Sequence, residues 1–181
     1  MIRRYSIHGV AATILEIQKL GWFLQRSVKE LGLRNPLGYQ FEPNRYGPYA
    51  DEIRHQLNDL DGSYLHAERR ISDSNPFEPL YFDDSKASIV REFFAEDEAM
   101  PYEQVLEHAS QIIDGFESPL GMELLSTVDW LLQHGCEPTV ESLTDGLQNW
   151  PVDRSAVERK LRILDRRLLE IALERLTSVS K

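Results

Sequence analysis

Three absences limit what this sequence can encode before any motif is considered. The chain of 181 residues has a single cysteine, Cys136, so it can form no internal disulfide and offers no cysteine pair for a zinc site. It has no apolar run of about 18 residues, the length that a membrane-spanning helix needs. Its first twenty residues lack the apolar core and cleavage site of a signal peptide. We therefore expect a cytoplasmic protein with no membrane partner.

Motifs that mark common enzymes are also missing. The sequence has no Gly-rich dinucleotide loop, no P-loop, no HExxH and no GxSxG. Its five histidines are scattered, and none stands with other ligand types at the spacing of a three- or four-ligand metal site. Acid pairs such as Glu103 and Glu107 are typical of a solvated helix face. We expect no metal, no cofactor and no small-molecule substrate.

Positive charge is scarce in one part of the chain only. Residues 83–145 hold two cations, Lys86 and Arg91, against fifteen acids, so this part has a net charge of −13. The whole chain has a net charge of −10. Residues 1–82 are balanced at ten cations and ten acids, and residues 146–181 carry eight against five. The overall charge argues against nucleic-acid binding driven by counterion release. The acidic middle fits either a solvated surface that aids solubility or a surface shaped for a basic partner.

Helix signals recur along the chain and predict a mainly α protein. Thr13 and Glu16 form a capping-box pattern that opens a helix ending before Gly32. Apolar periodicity and turn residues predict further helices over 48–61, 85–97, 101–115, 118–134, 139–148 and 153–177.

The remaining stretches are rich in turn-forming residues. A loop with a short extended piece at 38–42 is expected, and residues 63–82 predict either a small hairpin or an irregular crossing segment. We expect a single domain over 1–181, a compact bundle of about seven helices with at most a small β-hairpin.

The last three predicted helices have the outline of a helix-turn-helix module. The final one carries seven basic residues, but five acids are interleaved with them, as in exposed, ion-paired helices. A DNA-binding regulatory protein is therefore kept as the alternative interpretation.

Three stretches of the chain resemble one family. They are "ILEIQKLGWFLQ" (14–25), "RYGPYADEIRHQLNDLDGSYL" (45–65) and "IIDGFESPLGMELLSTVDWLL" (112–132). In order and rough spacing they are similar to the C-terminal toxin-binding region of DarG, the antitoxin of the DarT–DarG toxin–antitoxin system. Together they span about a third of the chain, and "NWPVDRSAVERKLRILDRRLLEIALERL" near the end resembles the family only loosely.

The resemblance implies a partner and a role. DarT ADP-ribosylates thymidine bases on single-stranded DNA using NAD. DarG answers with an N-terminal macrodomain that removes the ADP-ribose and a C-terminal region that binds and blocks DarT. Because the chain has no room for a macrodomain before residue 14, we expect the binding half alone, as an excised piece or a stand-alone relative. By this interpretation it is not an enzyme, and it is a monomer that forms a 1:1 complex with a DarT-type toxin.

The charge distribution and the resemblance together predict DNA mimicry. A toxin that grips single-stranded DNA should present a basic groove with stacking platforms. A blocker of that groove would offer carboxylates in place of phosphates and flat side chains in place of bases. The candidate toxin contacts come from the second and third resembling stretches and from the densest acidic cluster: Tyr46, Tyr49, Asp51, Arg54, His55, Phe116, Glu117, Glu123, Glu96, Asp97 and Glu98.

Some of these residues have structural interpretations as well. Tyr49 lies in line with Ile53 on one helical face, as a buried ring would. Arg54 is alternatively an internal strut to Glu123 or Glu117. Both of those acids stand at a helix entrance, where the helix dipole favours carboxylates in any case.

Overall fold

The computed structural model describes residues 1–5 and 11–179 of the chain. In that part the mainly α class is confirmed, because eight helices of eight or more residues dominate the fold. A single helical turn, α1 (Ile2–Tyr5), precedes them. Within the same residues, every helix is too short or too polar to cross a bilayer.

The long helices follow the order that the periodicity predicts. They are α2 (Ile14–Glu30), α3 (Asp51–Leu60), α4 (Ala87–Phe94), α5 (Pro101–Ile113), α6 (Pro119–Gln133), α7 (Val140–Gln148), α8 (Arg154–Ile163) and α9 (Arg166–Val179). The capping box of α2 is present, with Thr13 accepting from the Glu16 backbone and Glu16 reaching back to Thr13. Ser118 caps α6, and Pro119 occupies its first position.

Helix α2 lies at the centre of the fold and packs on α5 and α6. Thirteen of its seventeen residues are buried, far more than one amphipathic face would cover. Phe23 and Leu20 are among its fully buried side chains, and Met122 and Leu125 of α6 belong to the same core. Because α2 is surrounded, its polar residues must find partners inside the protein.

Five short strands form two small sheets. They are β1 (Ala12–Thr13), β2 (Glu42–Asn44), β3 (Gly47–Tyr49), β4 (Leu65–His66) and β5 (Pro79–Phe82). Strands β2 and β3 make a hairpin, which we call the docked hairpin, and β1, β5 and β4 pair in that order, all antiparallel. The β4–β5 pair lies within the segment predicted as a hairpin or crossing segment. The docked hairpin falls at 42–49, beyond the extended piece expected at 38–42.

The single final helix predicted over 153–177 is in fact two helices. The helical conformation is interrupted at Leu164 and Asp165. The Asp165 carboxylate accepts a hydrogen bond from the backbone of Leu168 at 2.9 Å, which caps α9 at its start. The break lets α9 pack on α5, α6 and α7. The outline of helix, short helix and long helix is therefore replaced by four helices, α6 to α9.

Candidate functional site

The docked hairpin is fixed to α2 and α6 rather than projecting into solvent. A Cβ added at Gly47, whose φ is +95°, would lie only 2.9 Å from Oγ1 of Thr127. Close by, Nζ of Lys19 donates to the Pro48 carbonyl at 2.6 Å. The glycine thus permits both the turn and the close approach to α6.

Two further side chains bind backbone atoms of the hairpin and of Ala50, the residue directly after it. The Gln18 amide donates to the Ala50 carbonyl at 3.0 Å and accepts from the Ala50 N–H at 2.9 Å. The indole Nε1 of Trp150 donates to the Asn44 carbonyl at 3.0 Å. Residues from three distant parts of the chain therefore set the position of the "RYGPY" turn.

A buried group of charges, which we call the Glu123 cluster, lies under the hairpin. Arg159 donates from Nη1 and Nη2 to the two carboxylate oxygens of Glu123 at 2.7 and 2.9 Å. Nζ of Lys160 donates to the same carboxylate at 3.0 Å. Burial opposes ionisation of Glu123, but the hydrogen bond from Arg159 and the charge of Lys160 outweigh it, so its pKa is lowered.

Lys19 brings a third cation close to this cluster. Its ammonium group donates to a carbonyl oxygen, and it is 2% exposed. Burial, together with repulsion from Lys160, lowers the pKa of Lys19 to about 7, although the charge of Glu123 acts in the opposite direction. Two cations, Arg159 and Lys160, thus bind the carboxylate of Glu123 directly, and its charge also acts on Lys19.

The second and third resembling stretches meet through Arg159. Its guanidinium carbon lies 4.7 Å from the centroid of the Tyr46 ring while its nitrogens bind Glu123. The Tyr46 ring, which is half-buried, also packs edge-on against Phe77 with centroids 5.3 Å apart. The structure therefore brings together Tyr46 and Glu123, two of the predicted contacts, but Glu123 is 2% exposed and faces the interior.

Arg54 is an internal strut, although its partners are not the predicted acids. Its Nη2 donates to the carbonyls of Ser72 at 3.0 Å and Ser74 at 2.8 Å. The predicted alternative, a strut to Glu123 or Glu117, is replaced by this anchor to the loop before β5. The sequence could not show this because the acceptors are backbone atoms.

The other residues around the start of α3 are more accessible. Tyr49 is half-buried, and burial together with a hydrogen bond to Asp51 raises its pKa. Asp51 and His55 are exposed. These two side chains are therefore placed where a partner can reach them.

The segment before α6 gives a mixed result for the remaining two contacts. Phe116 is half-buried and packs against the core. Glu117 is exposed, and its carboxylate accepts from the backbone N–H of Gly115 at 2.8 Å. Of these two side chains, Glu117 is the one that presents its charge to solvent.

Most of the acidic middle of the chain lies on the surface. Of the fifteen acids in residues 83–145, twelve are exposed, Asp83 is half-buried, and Glu123 and Asp129 are buried. Asp129 is enclosed by α2, where it accepts from Nε1 of Trp22 at 2.7 Å and pairs with Arg26. The predicted triplet Glu96, Asp97 and Glu98 is fully on the surface, in the link between α4 and α5.

Exposed apolar side chains flank this triplet in the chain. Ile89, Phe93 and Met100 are 49%, 56% and 53% exposed. We call the whole segment 89–100 the acidic edge. A cavity of about 440 Å³ opens beside it, with Phe93, Phe94, Glu96 and Glu98 among its lining residues. Single exposed apolar residues are common, but three large ones within one charged segment are typical of an interaction surface.

Sequence reasoning missed the cations of the buried cluster. Lys160 was assigned to an exposed, ion-paired helix face, and Lys19, although inside the first resembling stretch, stands in an apolar run that gives it no predicted role. The one signal was the width of the apolar face of α2, which leaves little solvent-facing surface for Lys19. Among the described residues, no group of three or more His, Cys, Asp or Glu side chains is arranged to hold a metal ion.

Comparison with known proteins gives relatives of a single name. No protein-family model matches this chain. It is 32% identical over 148 residues to a DNA ADP-ribosyl glycohydrolase of Thermus aquaticus. The aligned segment covers 81% of this chain and 38% of the relative. Proteins of the same name from Mycobacterium bovis and Mycobacterium tuberculosis are each 26% identical over 167 residues, covering 90% of this chain and 43% of the relative. The chain spans about two fifths of the length of these relatives, and it is related to DarG-type proteins.

These relatives overturn the expectation that the chain is not an enzyme. Each carries the name of a glycohydrolase, and the aligned segments take in 81% to 90% of this chain. The expectation rested on missing local motifs and on the missing macrodomain. Neither absence addresses an active site assembled from residues that are distant in sequence, so the inference was wrong.

Proposed function

We propose that this chain binds a DarT-type DNA ADP-ribosyltransferase and blocks the groove in which that toxin holds single-stranded DNA. Two findings support this proposal: the relation to DNA ADP-ribosyl glycohydrolases over most of the chain, and the three stretches that resemble the toxin-binding region of DarG. Within a longer protein of this type, the chain would recruit the toxin.

The acidic edge is the observation that carries the proposal. Glu96, Asp97 and Glu98 are exposed, and within the described residues they form no ion pair. Other exposed acids are engaged internally; Glu141, for example, pairs with Arg166 at 2.8 Å. The charges of the triplet are therefore available to a partner.

The neighbouring apolar residues complete the mimicry. Proteins that bind single-stranded DNA combine a basic groove with aromatic platforms on which bases stack. Carboxylates at 96–98 would take the places of phosphates, and the Phe93 ring would take the place of a base. Charge complementarity of this kind mainly accelerates association, so salt should slow complex formation.

A competition experiment tests the mechanism. The chain is mixed with a catalytically inactive DarT-type toxin, and single-stranded DNA is titrated in while anisotropy reports the complex at low and high salt. We expect binding, displacement by DNA, and slower association at high salt. Binding that DNA does not compete away would contradict the occluded groove, and absence of binding would contradict the proposal as a whole.

Matched variants locate the contact on the surface. Neutralising the triplet (E96Q, D97N and E98Q together) should weaken toxin binding at least tenfold. Neutralising three exposed acids elsewhere (E42Q, D59N and E68Q together) changes the net charge equally and should leave binding nearly unchanged. Equal loss in both variants would show that only net charge matters and would contradict a specific edge.

Substitutions of two exposed phenylalanines distinguish toxin contact at the acidic edge from toxin contact at the hairpin. Phe93 is 56% exposed and Phe77, which packs on Tyr46, is 50% exposed. We expect Phe93→Ala to weaken toxin binding and Phe77→Ala to have little effect. The reverse result would move the contact to the hairpin side, where Tyr46, Tyr49, Asp51 and His55 were predicted to act.

The name of the relatives supports a second proposal, that the chain works as part of a DNA ADP-ribosyl glycohydrolase. Incubation of the chain with ADP-ribosylated single-stranded DNA, followed by detection of released ADP-ribose, tests it directly. Release by the chain alone would establish catalysis within it. No release by the chain, with release by the longer protein, would place the catalytic residues outside these 181.

The helix-turn-helix alternative receives less support from the structure. Arg159 and Lys160, which would belong to the recognition surface, are committed to Glu123, and Arg166 is committed to Glu141 and Glu170. Tight, salt-sensitive binding of duplex DNA by the chain alone would favour this alternative over toxin binding.

A further inference from the structure

A cavity of about 370 Å³ lies between α2, the docked hairpin and the loop at residues 74–76. We call it the hairpin cavity. Three cations line it, Lys19, Arg45 and Arg54, and none of the described residues that line it is acidic. The whole chain carries 30 acids against 20 Lys and Arg. A recess whose charged lining residues are all basic is therefore against the trend of the molecule.

Lys19 is the buried cation of this cavity. It is 2% exposed, and its ammonium group donates to the Pro48 carbonyl at 2.6 Å. An ammonium has three N–H donors, so two remain for another acceptor. The carboxylate of Glu123 is held by Arg159 and Lys160 at 2.7 to 3.0 Å. Burial and the charge of Lys160 disfavour the charged form of Lys19 more than Glu123 favours it, and an anion bound in the cavity would favour that charged form further.

Two arginines, Arg45 and Arg54, line the same cavity. The guanidinium group of Arg54 is fixed beside the cavity because it donates to the backbone carbonyls of Ser72 and Ser74. Arg45 is exposed, and its guanidinium carbon lies 5.9 Å from the centroid of the Tyr46 ring. A planar guanidinium group matches the oxygens of a phosphate through two parallel hydrogen bonds.

The aromatic lining and the volume of the cavity indicate what the bound anion is attached to. Tyr46 and Tyr49 line the cavity together with Ile14 and Leu15. Asp51, the acid next to the Tyr49 hydroxyl, is exposed and is not part of the lining. The volume is at the lower end of the range for small-molecule sites, about 300 to 1,000 Å³. It suits a phosphate with one ring system better than a long polymer.

The geometry points to a phosphate-binding site in the hairpin cavity, with Lys19 at its base and Arg45 and Arg54 at its rim, that takes a small phosphomonoester such as a nucleoside monophosphate. The site is separate from the acidic edge, since the cavities beside the two share no lining residue. It goes beyond toxin binding and holds whether or not the toxin is bound.

Calorimetric titration of the full chain tests the site with three probes: inorganic phosphate, AMP and adenosine. We expect phosphate to bind weakly, AMP to bind more tightly, and adenosine to give no measurable heat. Phosphate binding equal to that of AMP would show that free phosphate is the ligand source and that the ring adds nothing. Adenosine binding as tightly as AMP, or no binding of phosphate and AMP at millimolar concentration, would overturn the proposal.

Variants assign the binding to the cavity. Lys19→Met keeps an unbranched side chain that is one atom shorter and uncharged, and it should weaken AMP binding about tenfold or more, the effect of losing one hydrogen bond to a charged group. Arg45→Gln, at an exposed position, should weaken binding several-fold. Arg34→Gln, an exposed cation outside the cavity, is the control and should change nothing.

The folding of the Lys19 variant is checked first, and defined results for AMP affinity would then contradict the proposal. Circular dichroism first checks that Lys19→Met folds; if it does not, Arg45→Gln alone decides. Unchanged AMP affinity in every folded cavity variant would place the binding elsewhere and overturn the site. Equal weakening by Arg34→Gln would show that only the net charge of the chain matters.

Discussion

The guanidinium group of Arg159 grips the carboxylate of Glu123 through both terminal nitrogens while its face lies over the ring of Tyr46. One side chain of α8 thereby connects the interior of α6 with the docked hairpin. A bidentate hydrogen bond between charged groups is strong and directional, so this contact fixes the relative position of α6, α8 and the docked hairpin.

Removing the charge of Glu123 should be strongly destabilising. Glu123→Gln leaves Arg159 and the fully buried Lys160 without a counter-ion, which costs about 3–5 kcal/mol for a buried pair. Denaturant unfolding monitored by tryptophan fluorescence measures the loss. Glu117→Gln, six residues away on the surface, is the control and should change stability by less than about 0.5 kcal/mol. Similar effects in the two variants would contradict the importance of the cluster.

The pKa of Lys19 gives a defined dependence of stability on pH. Its value in the folded protein is about 7, against 10.5 for an ordinary lysine, so between these pH values the unfolded chain binds more protons. Wild-type stability relative to Lys19→Met should therefore rise with pH across this window, by at most about 1.4 kcal/mol per pH unit. Unfolding curves from pH 6 to 10 measure the difference. A difference that does not change with pH would show that Lys19 stays protonated in the folded protein.

Two glycines with positive φ distinguish conformation from contact. Gly38 has φ +64° with open space around a Cβ, whereas Gly47 has φ +95° and Thr127 at 2.9 Å. Gly38→Ala should cost about 1–2 kcal/mol for the left-handed backbone alone. Gly47→Ala should cost a further 1–3 kcal/mol, roughly, because the hairpin is pushed off α6. Thermal unfolding of both variants measures the difference, and equal losses would contradict the tight docking.

Arg54 should control the loop before β5 more than the whole fold. Arg54→Lys keeps the charge but cannot reach the carbonyls of Ser72 and Ser74 in the same geometry. We expect backbone amides at 71–75 to exchange with deuterium about tenfold faster, while the core of α2 is unaffected. His55→Gln, at the exposed neighbouring position, should leave exchange unchanged. Protection equal to wild type in Arg54→Lys would show that the strut contributes little.

The sequence by itself determined the features that depend on near neighbours. The capping box at Thr13 and the Ser118–Pro119 start of α6 are read from residues three or four apart, and the structure has both. The excess of acids in 83–145 is also a property of the sequence alone, and most of those acids lie at the surface. The cap of α9 at Asp165 was present in the sequence too, but the strong helical pattern on both sides concealed it.

Tertiary packing decided which charges are buried and which are available to a partner. Glu123 meets Arg159 and Lys160 across 36 and 37 residues of chain, and Trp22 meets Asp129 across 107. No local spacing encodes such pairs, because they exist only once α2, α6 and α8 have packed. Lys19 and Glu123 were therefore invisible as a buried cluster, while Glu96, Asp97 and Glu98 could be placed on the surface from sequence. The triplet stays in water because it lies in an exposed link between two helices, whereas a charge on a surrounded helix must find its partner wherever the fold brings one.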